Sequence, residues 1–215
     1  MNSGGLIMSK AAAGAKVALE NLIAGNQRFC QNMRAPREFS IRREKLTKGQ
    51  KPMAAVLGCS DSRVSPELLF DMNLGEIFVV RTAGQVLDSV SLASIEYAVE
   101  HLEVPLLMVL GHEHCGAVNA AIAHEGQLHG RVGQLLGKIT PSIAQARELQ
   151  PAPEDFAETV TDLNIYAIAR QLFDQSDIVR LFVLDGKVRL VLAKYLLNSG
   201  EVKMLEANYR PADNL

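Results

Sequence analysis

Cys59, Asp61, Arg63, His112 and Cys115 are the residues of this chain whose types and spacing suit chemistry. They fall in two short segments, Cys59-Ser60-Asp61-Ser62-Arg63 and His112-Glu113-His114-Cys115-Gly116. Each segment follows an apolar run, MAAVLG at 53–58 and LLMVLG at 106–111, that reads as a buried strand. In an open parallel sheet, ligands bind in the crevice beyond the carboxyl ends of strands, so the two segments meet there if the strands are neighbours. Two thiolates and an imidazole select a borderline-soft ion such as zinc, and leave the fourth tetrahedral position for water or a carboxylate. The spacing Cys-x52-His-x2-Cys is a weak pattern alone; its weight comes from both halves occupying strand ends. For Asp61 and Arg63 the plainer alternative is a surface ion pair, worth about 0–1 kcal/mol.

Strands alternating with helices must position these segments. Lys16–Phe29 carries Val17, Leu19, Leu22, Ile23 and Phe29 at helical spacing, and Arg42–Lys48 reads as a second, more polar helix; together they make an N-terminal helical arm within residues 1–50. The body, 51–215, continues from MAAVLG to a helix opened by Ser65 as N-cap with Pro66 at its first position, and then to EIFVVR at 76–81. A helix from Ser89 to His101 follows, with Leu92, Ile95, Tyr97, Ala98, Val99 and Leu102 on its buried side. After LLMVLG come a helix over Gly116–His124 and a largely helical stretch, 131–184, interrupted at Pro141, Pro151 and Pro153. VRLVLAKYLL at 188–197 and EVKMLE at 201–206 read as a hairpin around Asn198-Ser199-Gly200. The pattern predicts one α/β domain: a central, mostly parallel sheet flanked by helices, with an N-terminal helical arm and a C-terminal β-hairpin.

Composition narrows the partners. The 22 basic and 24 acidic residues are mixed along 215 positions and leave a formal net charge of −2, which gives no footprint for nucleic acid or an anionic membrane. A small-molecule ligand is therefore expected. The two apolar runs are far shorter than the roughly 20 residues of a membrane-spanning helix. Met1–Ala15 lacks a continuous apolar core for a signal peptide, so a cytoplasmic location is expected. Three cysteines in a chain of this size argue against a disulfide framework. Cys30 reads as a small, partly buried side chain.

CSDSRV at 59–64, FVVR at 78–81, SIEYAVEHL at 94–102 and GHEHCGAV at 111–118 resemble the β-class carbonic anhydrases, over roughly residues 15–206. The resemblance implies reversible hydration of CO2 to bicarbonate and a proton, with one Zn2+ per subunit on Cys59, His112 and Cys115. Asp61 and Arg63 are then the catalytic dyad, with Asp61 able to become the fourth ligand in a closed state. Gln50, eleven residues before Asp61, is expected to hydrogen-bond the substrate; Phe78 and Tyr97 are expected to line its pocket, and Gly116 to offer a backbone N–H at a helix start. Ala83 departs from the usual valine and implies a slightly wider pocket. Val56 stands where the allosteric bacterial subtype carries a tryptophan, and the chain has none, so the plant-like subtype is expected. The family's pocket forms between subunits, which implies a homodimer or tetramer. His114 and His124 are candidate proton shuttles. Two rivals share the ligand set: a hydrolase of carbonyl sulfide or carbon disulfide, and a structural zinc module with Asp61 as permanent fourth ligand. Gln50 and the complete CSDSRV segment favour CO2.

Overall fold

Strands that are apolar at nearly every position can bury both faces only inside a covered sheet, and the chain builds one. The computed structural model describes residues 3–37, 39–124 and 129–211; Met1 and Asn2 of the N-terminal stretch and 212–215 of the body lie outside them. The order is α1 (Ser3–Cys30), α2 (Phe39–Lys45), β1 (Ala54–Cys59), α3 (Pro66–Leu69), β2 (Ile77–Thr82), α4 (Ser89–Glu100), β3 (Leu106–His112) and α5 (Gly116–His124). Then come α6 (Gly130–Gly137), α7 (Thr140–Leu149), α8 (Phe156–Gln175), α9 (Asp177–Leu184), β4 (Arg189–Tyr195) and β5 (Val202–Glu206).

The sheet order is β2-β1-β3-β4-β5, with the first four strands parallel and β5 antiparallel as the second half of the expected hairpin. β2 lies on one side of β1 and β3 on the other, so sheet growth reverses at β1. A crevice opens at such a reversal, here between the carboxyl ends of β1 and β3. Both strands are buried at every residue.

Side chains alternate between the faces, as a pleated strand requires. Ala55, Leu57, Leu107, Val109, Leu190 and Leu192 pack with α4, α8 and α9, whereas Ala54, Val56, Leu106, Met108 and Leu110 pack with α1 and the Leu69–Phe70 turn. A third cluster, including Val118, Leu136, Ile139 and Ile143, gathers α5, α6 and α7 around Cys59 and Cys115 at the sheet's carboxyl end. The approach of α8 to β3 depends on Gly111, since a Cβ there would lie 2.5 Å from Ile165 Cδ1.

Four expectations need correction. α1 starts well before Lys16 because the Ala-rich segment 11–15 has high helix propensity. It buries Ala15, Ala18, Leu19 and Leu22 but leaves Val17 54% exposed and Ile23 on the surface. Cys30, the last residue of α1, is exposed, with its Sγ beside Gly200 in the β4–β5 connection rather than in the core. Tyr97 is 48% exposed, because on α4 it lies over Phe78 of the edge strand β2 rather than over the sheet centre.

The arm is tied to the body by Asp71, a buried residue at φ 50°. Its carboxylate accepts hydrogen bonds from Arg28 Nε (2.7 Å), the Ala35 N–H (3.1 Å) and Arg37 Nη2 (3.2 Å). Burial pushes the Asp71 pKa up, but the three donors together outweigh it and hold the carboxyl below its ordinary value. No helix among the described residues is long and apolar enough to cross a membrane.

α1 also comes so close to the α3 turn that a Cβ on Gly25 would lie 1.8 Å from the Phe70 carbonyl oxygen, a backbone atom that cannot rotate away. Gly25→Ala is therefore expected to lower stability by about 3 kcal/mol, the upper end of overpacking costs. Urea denaturation measures it; an unchanged midpoint would contradict this docking of α1.

Candidate active site

Cys59 is the last residue of β1 and His112 the last of β3, and Cys115 follows three residues later, just before α5 begins at Gly116. Because Gly58 sits opposite Leu110 in the parallel register, the two strand ends are adjacent. One donor atom from each of Cys59, His112 and Cys115 lies within 4.8 Å of the other two, and all three residues are buried.

The cluster passes a physical test for holding a metal. Its two sulfurs are 4.0 Å apart, near the roughly 3.8 Å that two bonds of about 2.3 Å subtend at a tetrahedral angle. His112 Nδ1 is 2.8 Å from the Glu113 carbonyl oxygen, which fixes the proton there and leaves Nε2 as the electron-pair donor. Nε2 is buried without any hydrogen-bond partner. A buried polar atom left unpaired is costly in a core, and here it faces two sulfurs.

The two sulfurs, 4.0 Å apart, bias each other's ionisation in opposite directions. The contact with Cys115 lowers the Cys59 pKa, outweighing burial, with further help from the N–H groups of Asp61 (3.4 Å) and Gly84 (3.3 Å). The same contact, followed by burial, pushes Cys115 up.

Beside the cluster, Arg63 grips Asp61 from three donors: Nε to Oδ1 at 2.9 Å, Nη2 to Oδ2 at 2.7 Å and its own backbone N–H to Oδ1 at 2.9 Å. The side-chain pair is bidentate, the strong form of an arginine–carboxylate contact. These bonds, Arg63's side chain first, hold the Asp61 carboxyl well below the usual carboxylate range. With both oxygens engaged, Oδ2 stays 4.0 Å from His112 Nε2.

Three positioning contacts were not evident from the residue pattern. Arg81, at the end of the FVVR segment, donates from Nε to the Cys59 carbonyl (2.9 Å) and from Nη2 to the Asp61 carbonyl (2.7 Å), clamping the backbone of that loop. Its place at a strand end beside CSDSR was the available signal. Gly84, at φ 68°, turns its N–H onto Cys59 Sγ, and its carbonyl accepts from the buried Asn164 Nδ2 at 3.1 Å. Glu158 accepts the His114 N–H at 2.9 Å. Asn164 and Glu158 lie on α8, about 50 residues along from Cys115, so spacing offered no signal for them.

The remaining candidates do not join the cluster within one chain. Phe78 is opposite Ala55, four residues before Cys59, or about 13 Å along the strand. It pairs with Tyr97 at a ring separation of 6.2 Å on the β2–α4 side of the sheet. Gln50 is exposed in the segment before β1. Gly116 does border the cluster, at the first turn of α5, and a Cβ there would meet nothing within 4 Å. His114 and His124 are both exposed.

Residues 54–202 match the carbonic anhydrase family. Carbonic anhydrase 2 of Mycobacterium tuberculosis is 40% identical over 187 residues, which cover 85% of this chain and 89% of that protein. The carbonic anhydrase of Mycolicibacterium smegmatis is 40% identical over 184 residues, covering 84% and 88%. Among solved structures, the Coccomyxa β-carbonic anhydrase in complex with acetazolamide aligns with a TM-score of 0.70 at 29% identity over 77% of each chain. The β-carbonic anhydrase CafA of Aspergillus fumigatus aligns at 0.72 and 26% identity, over 80% of this chain and 83% of that one.

A site of two thiols and an imidazole must lose protons to bind a cation, so its affinity for Zn2+ is expected to rise with pH. Calorimetric titration of metal-free protein between pH 6 and 8 reads this as tighter binding with proton release. Binding that does not change over that range would contradict thiolate ligation.

Proposed function

This chain belongs to the carbonic anhydrase family, in its β class, and is a carbonic anhydrase; from that premise we propose that it hydrates CO2 reversibly with one Zn2+ per subunit on Cys59, His112 and Cys115. The observation that carries the zinc reading is the buried, unpartnered His112 Nε2 facing two sulfurs 4.0 Å apart. Zinc in such a site supplies a water acidified enough to attack CO2 near neutral pH.

The chain's own residues prepare that attack. Asp61, kept ionised by Arg63, would accept a hydrogen bond from the attacking water and so aim its lone pair at the carbon of CO2. Arg63 also restrains Asp61, since Oδ2 already lies 4.0 Å from His112 Nε2 and a carboxylate released from Arg63 could turn toward the cluster and take the fourth ligand position. The dyad is in this sense a gate. The Asp61 and Gly84 N–H groups on Cys59 Sγ spread the thiolate's charge and orient it. Gly116 places the positive end of α5 beside the position an anionic product occupies.

A CO2 pocket also needs an apolar wall and a polar anchor. Gln50, Phe78 and Tyr97 fill these roles from a neighbouring subunit in our reading, with Gln50 steadying charge on the substrate oxygen. Two features support this: β2 is an edge strand, and α4 beside it exposes Val90 (72%) and Tyr97 (48%). Such an apolar, unpaired edge suits burial in a homodimer. The complete CSDSRV segment, Gln50 and the buried Val56 support a plant-like, constitutively open site.

Arg63→Ala is expected to keep its zinc and to lose hydration activity on the order of 100-fold at neutral pH, the usual weight of one positioned hydrogen-bonding group at a reacting centre; an unchanged rate with zinc retained removes the gate from the mechanism. Gel filtration combined with hydration assays on each eluted species is expected to find activity in dimers or larger assemblies. A fully active monomer would contradict the shared pocket.

A further inference from the structure

α8 reaches the gate through one residue. Glu158 Oε1 accepts the His114 N–H at 2.9 Å, and Oε2 meets Lys194 Nζ at 3.3 Å. Lys194 is buried on β4 and also holds Asp162 Oδ1 at 2.7 Å, so a charged, doubly tethered lysine fixes Glu158 against the loop. The His114 Nδ1 atom lies 3.8 Å from the same carboxylate, beyond hydrogen-bond reach.

His114 is held at φ 50°, a left-handed conformation that a residue with a Cβ adopts only when its surroundings fix it. In that conformation its carbonyl oxygen accepts from Arg63 Nη2 at 3.3 Å, and the same nitrogen donates to Asp61 Oδ2 at 2.7 Å. The Arg63 side chain is half exposed. Beyond Asp61 itself, the His114 carbonyl is the other hydrogen-bond anchor of that guanidinium among the described residues.

We propose that Glu158 is a positioning residue for the Asp61–Arg63 gate, acting through the main chain of His114; the inference rests on the zinc-dependent reading above. Glu158 fixes the His114 N–H, His114 presents its carbonyl, Arg63 docks on that carbonyl, and Asp61 is held off the metal. Removing the first link loosens the last, so the fourth coordination position is blocked for a larger share of the time. Lys194 keeps Asp162 as a partner when Glu158 is replaced, so the substitution strands no buried charge.

The test uses Glu158→Ala and Glu158→Gln in two measurements. In metal-free protein, amide exchange at His114 is expected to quicken in the Ala variant and return toward the wild-type rate in the Gln variant, whose side-chain oxygen still accepts the N–H. In Co2+-substituted protein, azide binding read from the visible spectrum reports access to the open position. Glu158→Ala is expected to weaken azide about three- to tenfold, the weight of one hydrogen bond, and Gln to restore it in part, since its oxygen still accepts the His114 N–H while its amide nitrogen cannot accept from Lys194. The effect is also expected to vanish in an Arg63→Ala background, because the two act in series. Wild-type azide affinity in Glu158→Ala, no rescue by Gln, or an undiminished effect without Arg63 each overturns the proposal. These outcomes are separable from failure of the underlying reading, which would show as wild-type protein that takes up no zinc or hydrates no CO2.

Discussion

Because β1 and β3 run side by side with Gly58 opposite Leu110, Cys59 and His112 leave the sheet at neighbouring points, and the later features of the site follow from that adjacency. Cys115 needs only the short turn after β3 to meet them. The register is set by burial: a slip of one residue would turn Ala55, Leu57, Leu107 and Val109 from one packed face to the other. Helices α5, α6 and α7 then close over the two cysteines, so the ligands sit in a low-dielectric place where electrostatic contacts are strong.

That placement gathers negative charge, since two thiols that must become thiolates lie beside the Asp61 carboxylate. The chain answers with directed donors: Arg63 on the carboxylate, Arg81 on the backbone around it, and the Asp61 and Gly84 N–H groups on Cys59 sulfur. Left-handed backbone collects here too, with Gly84 at φ 68°, Gln85 at 47° and His114 at 50°. Strain of this kind persists where the surroundings fix it, and it commonly marks functional sites. The positioning of Asp61 and Arg63 beside the cluster depends on several elements at once, with contacts from β1, β2, the loop after β3 and α8.

The cluster of Cys59, His112 and Cys115 was legible because apolar strand runs end directly on the ligands, and the βαβ alternation made those ends converge. The pairing of Asp61 with Arg63 was legible because they are two residues apart on the same loop, while their role as a dyad is what the family resemblance implies. The sheet, the hairpin and the helical stretch before it were legible from hydrophobic patterning and proline placement. Other features were not. Glu158 and Asn164 act from a helix whose sequence looks like any amphipathic surface helix, and only tertiary packing brings them to the loops. The exposure of Val17 and Tyr97 was missed because helical spacing says which residues share a face but not how wide a stripe the sheet covers. The aromatic pair lies apart from the cluster in one chain, a separation that pattern alone does not reveal.

The central claim is that a metal held by two thiolates and one imidazole, kept open by the Asp61–Arg63 pair, hydrates CO2. Two thiolates leave the bound ion with little net positive charge, so the water it activates should be less acidic than on a site of neutral ligands. Metal analysis with stopped-flow CO2 hydration across pH, on one preparation, tests this most directly. The account predicts one Zn2+ per chain and a hydration rate that climbs toward alkaline pH. Zinc-loaded protein inactive at every pH, or full activity after zinc is removed, would contradict it.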